Sequence, residues 1–392
     1  MALRALARVN LAAVERNCER LRFAAGPHTA LCAVVKANAY GHGTVPASRA
    51  ALAGGASWLA VAAVQEAVEL RAAGIEVPVL MMGALSAEEL PVALTASTDV
   101  VAWRASFVED LCRSAHRWPG ERPVRVHVKL DVGMGRLGIR DADELLRVAE
   151  QIHAAPELEL VGAMTHLPCA DEDPERTRAD VERFRAFGER LRVLKPDVVL
   201  HAANSAATLA VPESRFDMVR CGVAIYGLDP FGVDSADHDL EPALELRSFV
   251  AALKPLAPGE SVGYGARFVA REPTWIATLP IGYGDGWRRA FSDNAEVLIG
   301  GRRHPLVGRV SMDNVTVDVG PDPAGIAEGD EAVLLGRDGD ERITAEVLAQ
   351  RIDTINYEIT TALTARPTRA YHRDGAVLGT DGLPQPDPET AA

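Results

Sequence analysis

Leu31 to Val35 is a run of apolar and β-branched residues that reads as a buried strand, and it ends on Lys36-Ala37-Asn38-Ala39-Tyr40-Gly41-His42-Gly43. An ammonium at the edge of a core is costly unless it is paired, exposed or neutral. Desolvation lowers a lysine's pKa and makes it a nucleophile able to form a Schiff base with a carbonyl. The spacing also fits a lysine that snorkels to solvent at a strand end, which is the commoner case. His201-Ala202-Ala203-Asn204-Ser205 poses a second choice. Asn204-Ser205 can open a helix as its N-cap or can offer hydroxyl and N–H groups to an anion.

These residues need strands that end together. Counting Leu31–Val35, apolar runs at 58–62, 77–83, 98–103, 125–132, 158–167, 197–203 and 217–226 alternate with helical patterns. Two of those patterns open on capping boxes, Ser86-x-x-Glu89 and Asp141-x-x-Glu144. Asn10 caps a first helix whose apolar face is Leu11, Val14, Cys18 and Leu21, and Gly26-Pro27 ends it. Eight nearly continuous apolar strands separated by helices predict an α/β fold, an N-terminal parallel (β/α)8 barrel of the TIM type. Chemistry in such barrels gathers at the C-terminal strand ends. The polar residues there are Lys36, Arg136, His166, Asn204, Ser205 and Arg220, with Gly222 beside them.

An acidic stretch with Pro, Gly and Ser between Asp229 and Glu241 marks a boundary. Beyond it, runs at 245–253, 274–281, 295–299, 306–310, 314–319 and 331–335 are short and broken by Gly, Pro, Asn and Asp, which predicts a mainly antiparallel β domain. Two late helices follow, one opened by Thr344 and one carrying Asn356, Tyr357 and Glu358. The expected division is therefore 1–240 for the barrel, 241–374 for the β-rich domain and 375–392 for a loose tail.

The 392 residues suffice for two domains, and 48% hydrophobic with 24% charged residues is ordinary for a globular chain. A formal net charge of -14 without a basic run argues against nucleic acid or an anionic membrane as partner. Arg4, Arg8, Glu15 and Arg16 interrupt every apolar run near the N-terminus, so neither a signal peptide nor a membrane span is expected. The five cysteines are scattered with no CxxC pair, which reads as free thiols in a reducing cytoplasm and no metal site.

Val35-Lys36-Ala37-Asn38-Ala39-Tyr40-Gly41-His42-Gly43 resembles the pyridoxal-phosphate attachment segment of bacterial alanine racemases. Further segments extend the likeness in the family's order over nearly the whole chain: Lys129-Leu130-Asp131-x-Gly133-Met134-x-Arg136-x-Gly138, Thr165-His166-Leu167, Arg220-Cys221-Gly222-Val223, Gly263-Tyr264-Gly265 and Ser311-Met312-Asp313. The resemblance implies pyridoxal 5'-phosphate as cofactor, alanine as substrate, and Lys36 and Tyr264 as bases on opposite faces of the substrate. By the same likeness Tyr40, Ser205, Gly222, Val223 and Tyr357 hold the phosphate, with Asn204 beside them. Arg220 faces the pyridine nitrogen, and His166 links Arg220 to Tyr264. An arginine there is too weak an acid to protonate the ring, which leaves the cofactor a weaker electron sink. A phenol with an ordinary pKa near 10 needs such a partner to exchange protons at neutral pH. Arg136 and the N–H of Met312 receive the substrate carboxylate. Lys129 is carbamylated in many members, although an unmodified Lys129 paired with Asp131 fits the sequence as well.

The likeness further implies a cytoplasmic homodimer in which the second copy lends Tyr264, Tyr283, Met312 and Asp313, and a supply of D-alanine for peptidoglycan. Tyr264 and Tyr357 narrow the mouth, with Asp171, His201, Tyr283, Arg289, Arg309 and Asp313 along the entrance. A broad-specificity amino-acid racemase would carry a smaller residue in place of Tyr357. A decarboxylase of the same architecture would lack the Lys36 and Tyr264 segments, and a non-enzymatic cofactor carrier would lack the second domain.

Overall fold

The computed structural model describes residues 3–117, 122–323 and 325–381. It divides into two units, Val14–Glu241, and the chain up to Ala13 together with Pro242 onward. Strand β1 (Leu6–Asn10) belongs to the second.

The first unit is a ring of eight parallel strands: β2 (Ala30–Val34), β3 (Trp58–Val61), β4 (Val79–Met81), β5 (Asp99–Ala102), β6 (Val124–Lys129), β7 (Leu158–Met164), β8 (Val199–His201) and β9 (Met218–Cys221). Pairing runs in order from β2 to β8, and β9 pairs with β2. The ring closes between β8 and β9, where the N–H groups of Asp217 and Arg220 donate to Leu200 O and Ala203 O at 3.1 and 2.9 Å. Each strand falls within or beside one of the eight expected runs. Leu59, Leu80, Val100, Val126, Ala163, Leu200 and Val219 are all buried, because both faces of a barrel strand are covered, by the other strands inside and the helices outside.

Both capping boxes mark helix starts. Asp141 accepts from the N–H groups of Asp143 and Glu144. Ser86 and Glu89 bond reciprocally, at 2.9 and 3.3 Å, just ahead of the helix Leu90–Thr95.

The second unit is an eleven-stranded, mainly antiparallel sheet. Its strands are β1, β10 (Leu244–Phe249), β11 (Ala252–Leu256), β14 (Thr274–Leu279), β15 (Glu296–Ile299), β16 (Arg302–Val307), β17 (Val315–Gly320), β18 (Glu331–Asp338), β19 (Glu341–Ile343), β20 (Thr368–Arg373) and β21 (Ala376–Asp381), with a separate ribbon of β12 (Ser261–Val262) and β13 (Phe268–Val269). Thr344 caps the helix Ala345–Arg351 as expected.

Three features differ from the sequence expectation. β1 pairs antiparallel with β10 and parallel with β20, so the first residues join the β unit rather than the barrel. The run 245–253 is two strands, because Val250 donates to Asp330 O and the next residue, Ala251, to Thr278 O, which changes the partner strand in one step. The chain past residue 374 continues as β21 against β20; residues 382–392 of the expected tail lie outside those described. Among the described residues no helix is long and apolar enough to cross a membrane.

Candidate active site

Lys36 follows β2 at the C-terminal mouth of the barrel, half-buried. Burial, together with the charge of Arg136, lowers its pKa, and Glu66 opposes them. After it, Ala37, Asn38, Ala39 and Tyr40 all take left-handed backbone with φ of 52–53°. Each such non-glycine residue costs roughly 1–2 kcal/mol, so this turn persists only because its surroundings over-determine it. Asn38 Oδ1 accepts from the N–H and hydroxyl of Thr44 at 3.0 and 3.3 Å. The buried His42 ring lies 3.0 Å from Ala39 O and Tyr40 O through Nδ1 and stacks on Tyr226.

Glu66 is the outer clamp. Oε1 accepts from Ala37 N–H at 2.6 Å, while Oε2 accepts from Ala62 and Ala63 N–H at 2.8 and 3.0 Å, which ties the loop after β2 to the loop after β3. Replacing Glu66 by Gln should lower the Lys36 pKa further, because the opposing carboxylate is gone. Following the pH dependence of Lys36 reaction with an aldehyde checks this: the midpoint moves down, and an unmoved midpoint would contradict the placement.

Around Lys36 stands a cluster of cations. Lys129 is buried, and among the described residues its ammonium has no hydrogen-bond or ion-pair partner; burial, then Arg220, Arg136 and Lys36, bring its pKa down to about 8 against the pull of Asp131. The alternative of an unmodified Lys129 paired with Asp131 is not formed among the described residues. Asp131 is engaged by Arg140 at 3.0 Å and by the N–H groups of Gly133 and Gly135. Arg136 is exposed. His166 is half-buried and held neutral, with a pKa lowered to about 3 by burial and then by Arg220, Arg136, Lys129 and Lys36.

The cradle for an anion lies where β8 and β9 end. Asn204 caps the helix Ser205–Ala210 through Ala207 N–H, so it positions Ser205. Ser205 Oγ accepts from the N–H groups of Gly222 and Ala224 at 3.1 and 3.4 Å. A Cβ on Gly222 would stand 2.5 Å from the Tyr40 hydroxyl; only glycine leaves that space. Val223 follows, buried. A hydroxyl, adjacent N–H groups, a phenol and a nearby lysine of lowered pKa match the donor set that a phosphate-bearing aldehyde requires.

Arg220 is buried, and its two Nη groups donate to Thr165 O, His201 O, Ala202 O and His201 Nδ1 at 2.6–3.1 Å. The expected link to His166 is therefore replaced by one to His201, which follows from the guanidinium pointing at the carbonyls that end β7 and β8. His201, expected along the entrance, is fully buried behind Arg220. Asp171 is exposed. A cavity of about 620 Å³ at the opposite, N-terminal mouth, lined by Arg71, Asp99 and Arg125 among others, is remote from Lys36.

In the β unit Tyr264 is 72% exposed, held between Gly263 and Gly265, both with φ near +75°. Tyr283 N–H donates to Ser311 O at 3.0 Å and Gly284 N–H to Met312 O at 2.9 Å, which brings Tyr283, Met312 and Asp313 together. Among the described residues Met312 N–H donates to nothing. Arg366 pairs with Asp313 at 2.7 Å. Arg289 and Arg309 line one cavity of about 310 Å³ with Arg267 and Ser292. Tyr357 is half-buried in the helix Asn356–Thr361.

Residues 9–230 match the model of the alanine racemase N-terminal domain and 243–371 that of the C-terminal domain. The chain belongs to the alanine racemase family. It is 42% identical to the alanine racemase of Symbiobacterium thermophilum, over 93% of this chain and 96% of that one. With the alanine racemase of Geobacillus stearothermophilus it shares 38% identity over 95% and 94%. The solved alanine racemase of Streptomyces lavendulae superposes with a TM-score of 0.89 at 38% identity, covering 95% of this chain and 98% of that one.

Within this racemase fold, sequence reasoning passed over Glu66, Asp99 and His127. His127 could have been noticed as an imidazole in the middle of a buried apolar run. Glu66 has no local signal that sets it apart from the other polar positions on its helix.

Proposed function

We propose that this chain interconverts L- and D-alanine with bound pyridoxal 5'-phosphate, through Lys36 and Tyr264 as opposed bases, and so supplies D-alanine for peptidoglycan in the cytoplasm. The observation that carries the reading is the group of cations Lys36, Lys129, Arg136 and Arg220, in which Arg136 lowers the pKa of Lys36 and the other three lower that of Lys129, beside the Ser205–Gly222 cradle. Such a field favours a phosphate and a carboxylate over any neutral ligand. When bound, the cofactor withdraws the electrons left at the substrate's Cα as its proton departs.

Ser205, Gly222, Val223, Tyr40 and Tyr357 would hold the phosphate, and Arg220 would face the ring nitrogen. Lys36 Nζ, of lowered pKa, is suited to take and return the Cα proton on one face. The Tyr264 hydroxyl does the same on the other. Neutral His166 is suited to orient that hydroxyl by a hydrogen bond, while its own pKa of about 3 keeps it from holding the proton. Arg136 and Met312 N–H fix the carboxylate, and Tyr264 with Tyr357 narrows the mouth to a methyl side chain. The exposure of Tyr264, Tyr283 and Met312, at 72%, 43% and 52%, supports a homodimer in which a second copy covers them. Purified protein loaded with the cofactor should bring either enantiomer of alanine to a racemic mixture, followed by optical rotation; release of carbon dioxide instead would replace the racemase reading with the decarboxylase one.

Lys129 is suited to carbamylation, since only a neutral amine takes up carbon dioxide and its pKa is down to about 8. At pH 8 about half of such an amine is neutral, against under about 1% for an ordinary lysine. A carbamate there would turn a cation into an anion able to hold Arg136. Bicarbonate should therefore lower the KM for alanine, increasingly as the pH rises toward 8, and Lys129→Ala should not respond. A bicarbonate response that survives in Lys129→Ala would contradict the assignment.

A further inference from the structure

Barrel interiors are filled mainly by branched aliphatic side chains, yet this one carries a continuous polar chain. Arg220 Nη1 lies 3.0 Å from His201 Nδ1, His201 Nε2 lies 2.9 Å from His127 Nδ1, and His127 Nε2 lies 3.3 Å from Asp99 Oδ2. All four side chains are buried. Asp99 also accepts from Arg125 Nε at 2.9 Å, at the N-terminal end of β5. The chain thus crosses the barrel from one mouth toward the other. Room is made for it: a Cβ on Gly162 would stand 2.0 Å from His127 Nδ1.

The direction of the chain is fixed by chemistry. Arginine can only donate, so His201 Nδ1 must accept and its proton sits on Nε2. That proton is donated to His127 Nδ1, which leaves His127 its proton on Nε2 to give to the Asp99 carboxylate. Burial and the neighbouring Arg220 push the His201 pKa well below its ordinary value, which keeps it neutral. The result is an anion and a cation joined through two neutral rings of defined tautomer. A buried polar layer costs stability relative to a packed apolar one unless every member is satisfied, and here each member has its partner.

We propose that Asp99 and His127 are positioning residues for the reaction, acting through His201 to hold Arg220 in place and in orientation toward the cofactor ring. This rests on the reading that Arg220 faces that ring. Neither residue touches cofactor or substrate.

The test has two parts. Ring ¹⁵N spectra of the histidines in the full-length wild-type holoenzyme should show His201 and His127 both neutral with the proton on Nε2; a proton on Nδ1 of either, or an imidazolium, overturns the proposal whatever the chain catalyses. In kinetics, His127→Leu fills the space by Gly162 but breaks the chain, and should lower kcat by about tenfold, as loss of an outer partner does elsewhere, with KM within about twofold. Asp99→Asn should cause a similar loss, and the double variant should be no slower than His127→Leu alone, because both act through one chain. Unchanged kcat in a folded His127→Leu, or losses that multiply in the double variant, would mean that the layer is only packing. Should the wild type fail to racemise alanine, the proposed function falls, while the spectra still decide whether the oriented chain exists.

Discussion

Lys36→Ala abolishes racemisation, lowering the rate by more than about 10⁴-fold, because one substitution removes both the cofactor's covalent anchor and the base on one face. The variant should also lose its bound-cofactor absorbance on dialysis. With both proteins free of cofactor, its melting temperature should be no lower than that of the wild type near neutral pH. The sign follows from the lowered pKa of Lys36: the folded state disfavours the ammonium, a penalty present at pH below the folded pKa and gone above the unfolded one, and alanine removes it. Inactivity with a clearly lower melting temperature would instead mean that the lysine holds the left-handed turn together.

Tyr264→Phe should lower kcat in both directions by about 10²–10⁴-fold, the usual worth of a positioned acid/base, with little change in KM. The ring and its glycine-flanked loop stay as they are, and the side chain is exposed in a single chain. Stability should therefore move by no more than about 0.5 kcal/mol. A tyrosine that merely lines the mouth would tolerate phenylalanine with kcat unchanged.

The barrel was legible because its signal is periodic and local: eight apolar runs ending in polar residues give eight strands, and Lys36, His166 and Arg220 fall at or beside the ends where chemistry gathers. The β unit was legible in class but not in detail. β1 and β20 escaped because Arg8, Arg369 and Arg373 interrupt them and they pair with each other across more than 300 positions, and β21 because it lies past the expected end of the domain, none of which periodicity can reveal.

Lys129 and Asp131, two residues apart, looked like a ready ion pair, yet the turn at Gly133 and Gly135 aims the carboxylate at its own backbone and at Arg140. His201 was misplaced for a related reason. Whether the last residue of a strand points into the barrel or out along its rim depends on tilt and register, and here it points in, between Arg220 and His127. The roles of Glu66 and Asp99 depend on contacts between neighbouring strands and loops, which no local pattern carries.

The central claim is that two different groups serve the two faces of alanine. It is tested most directly by incubating wild type and Tyr264→Phe with L-alanine and D-alanine separately in deuterated water, and following Cα deuterium in each enantiomer. The account predicts that wild type interconverts both with deuterium at Cα. The variant should exchange the Cα hydrogen of D-alanine, on the Lys36 face, while neither exchanging L-alanine nor converting one into the other. Equal exchange of both enantiomers by the variant, or conversion at the wild-type rate, would show that one base serves both faces and would contradict the account.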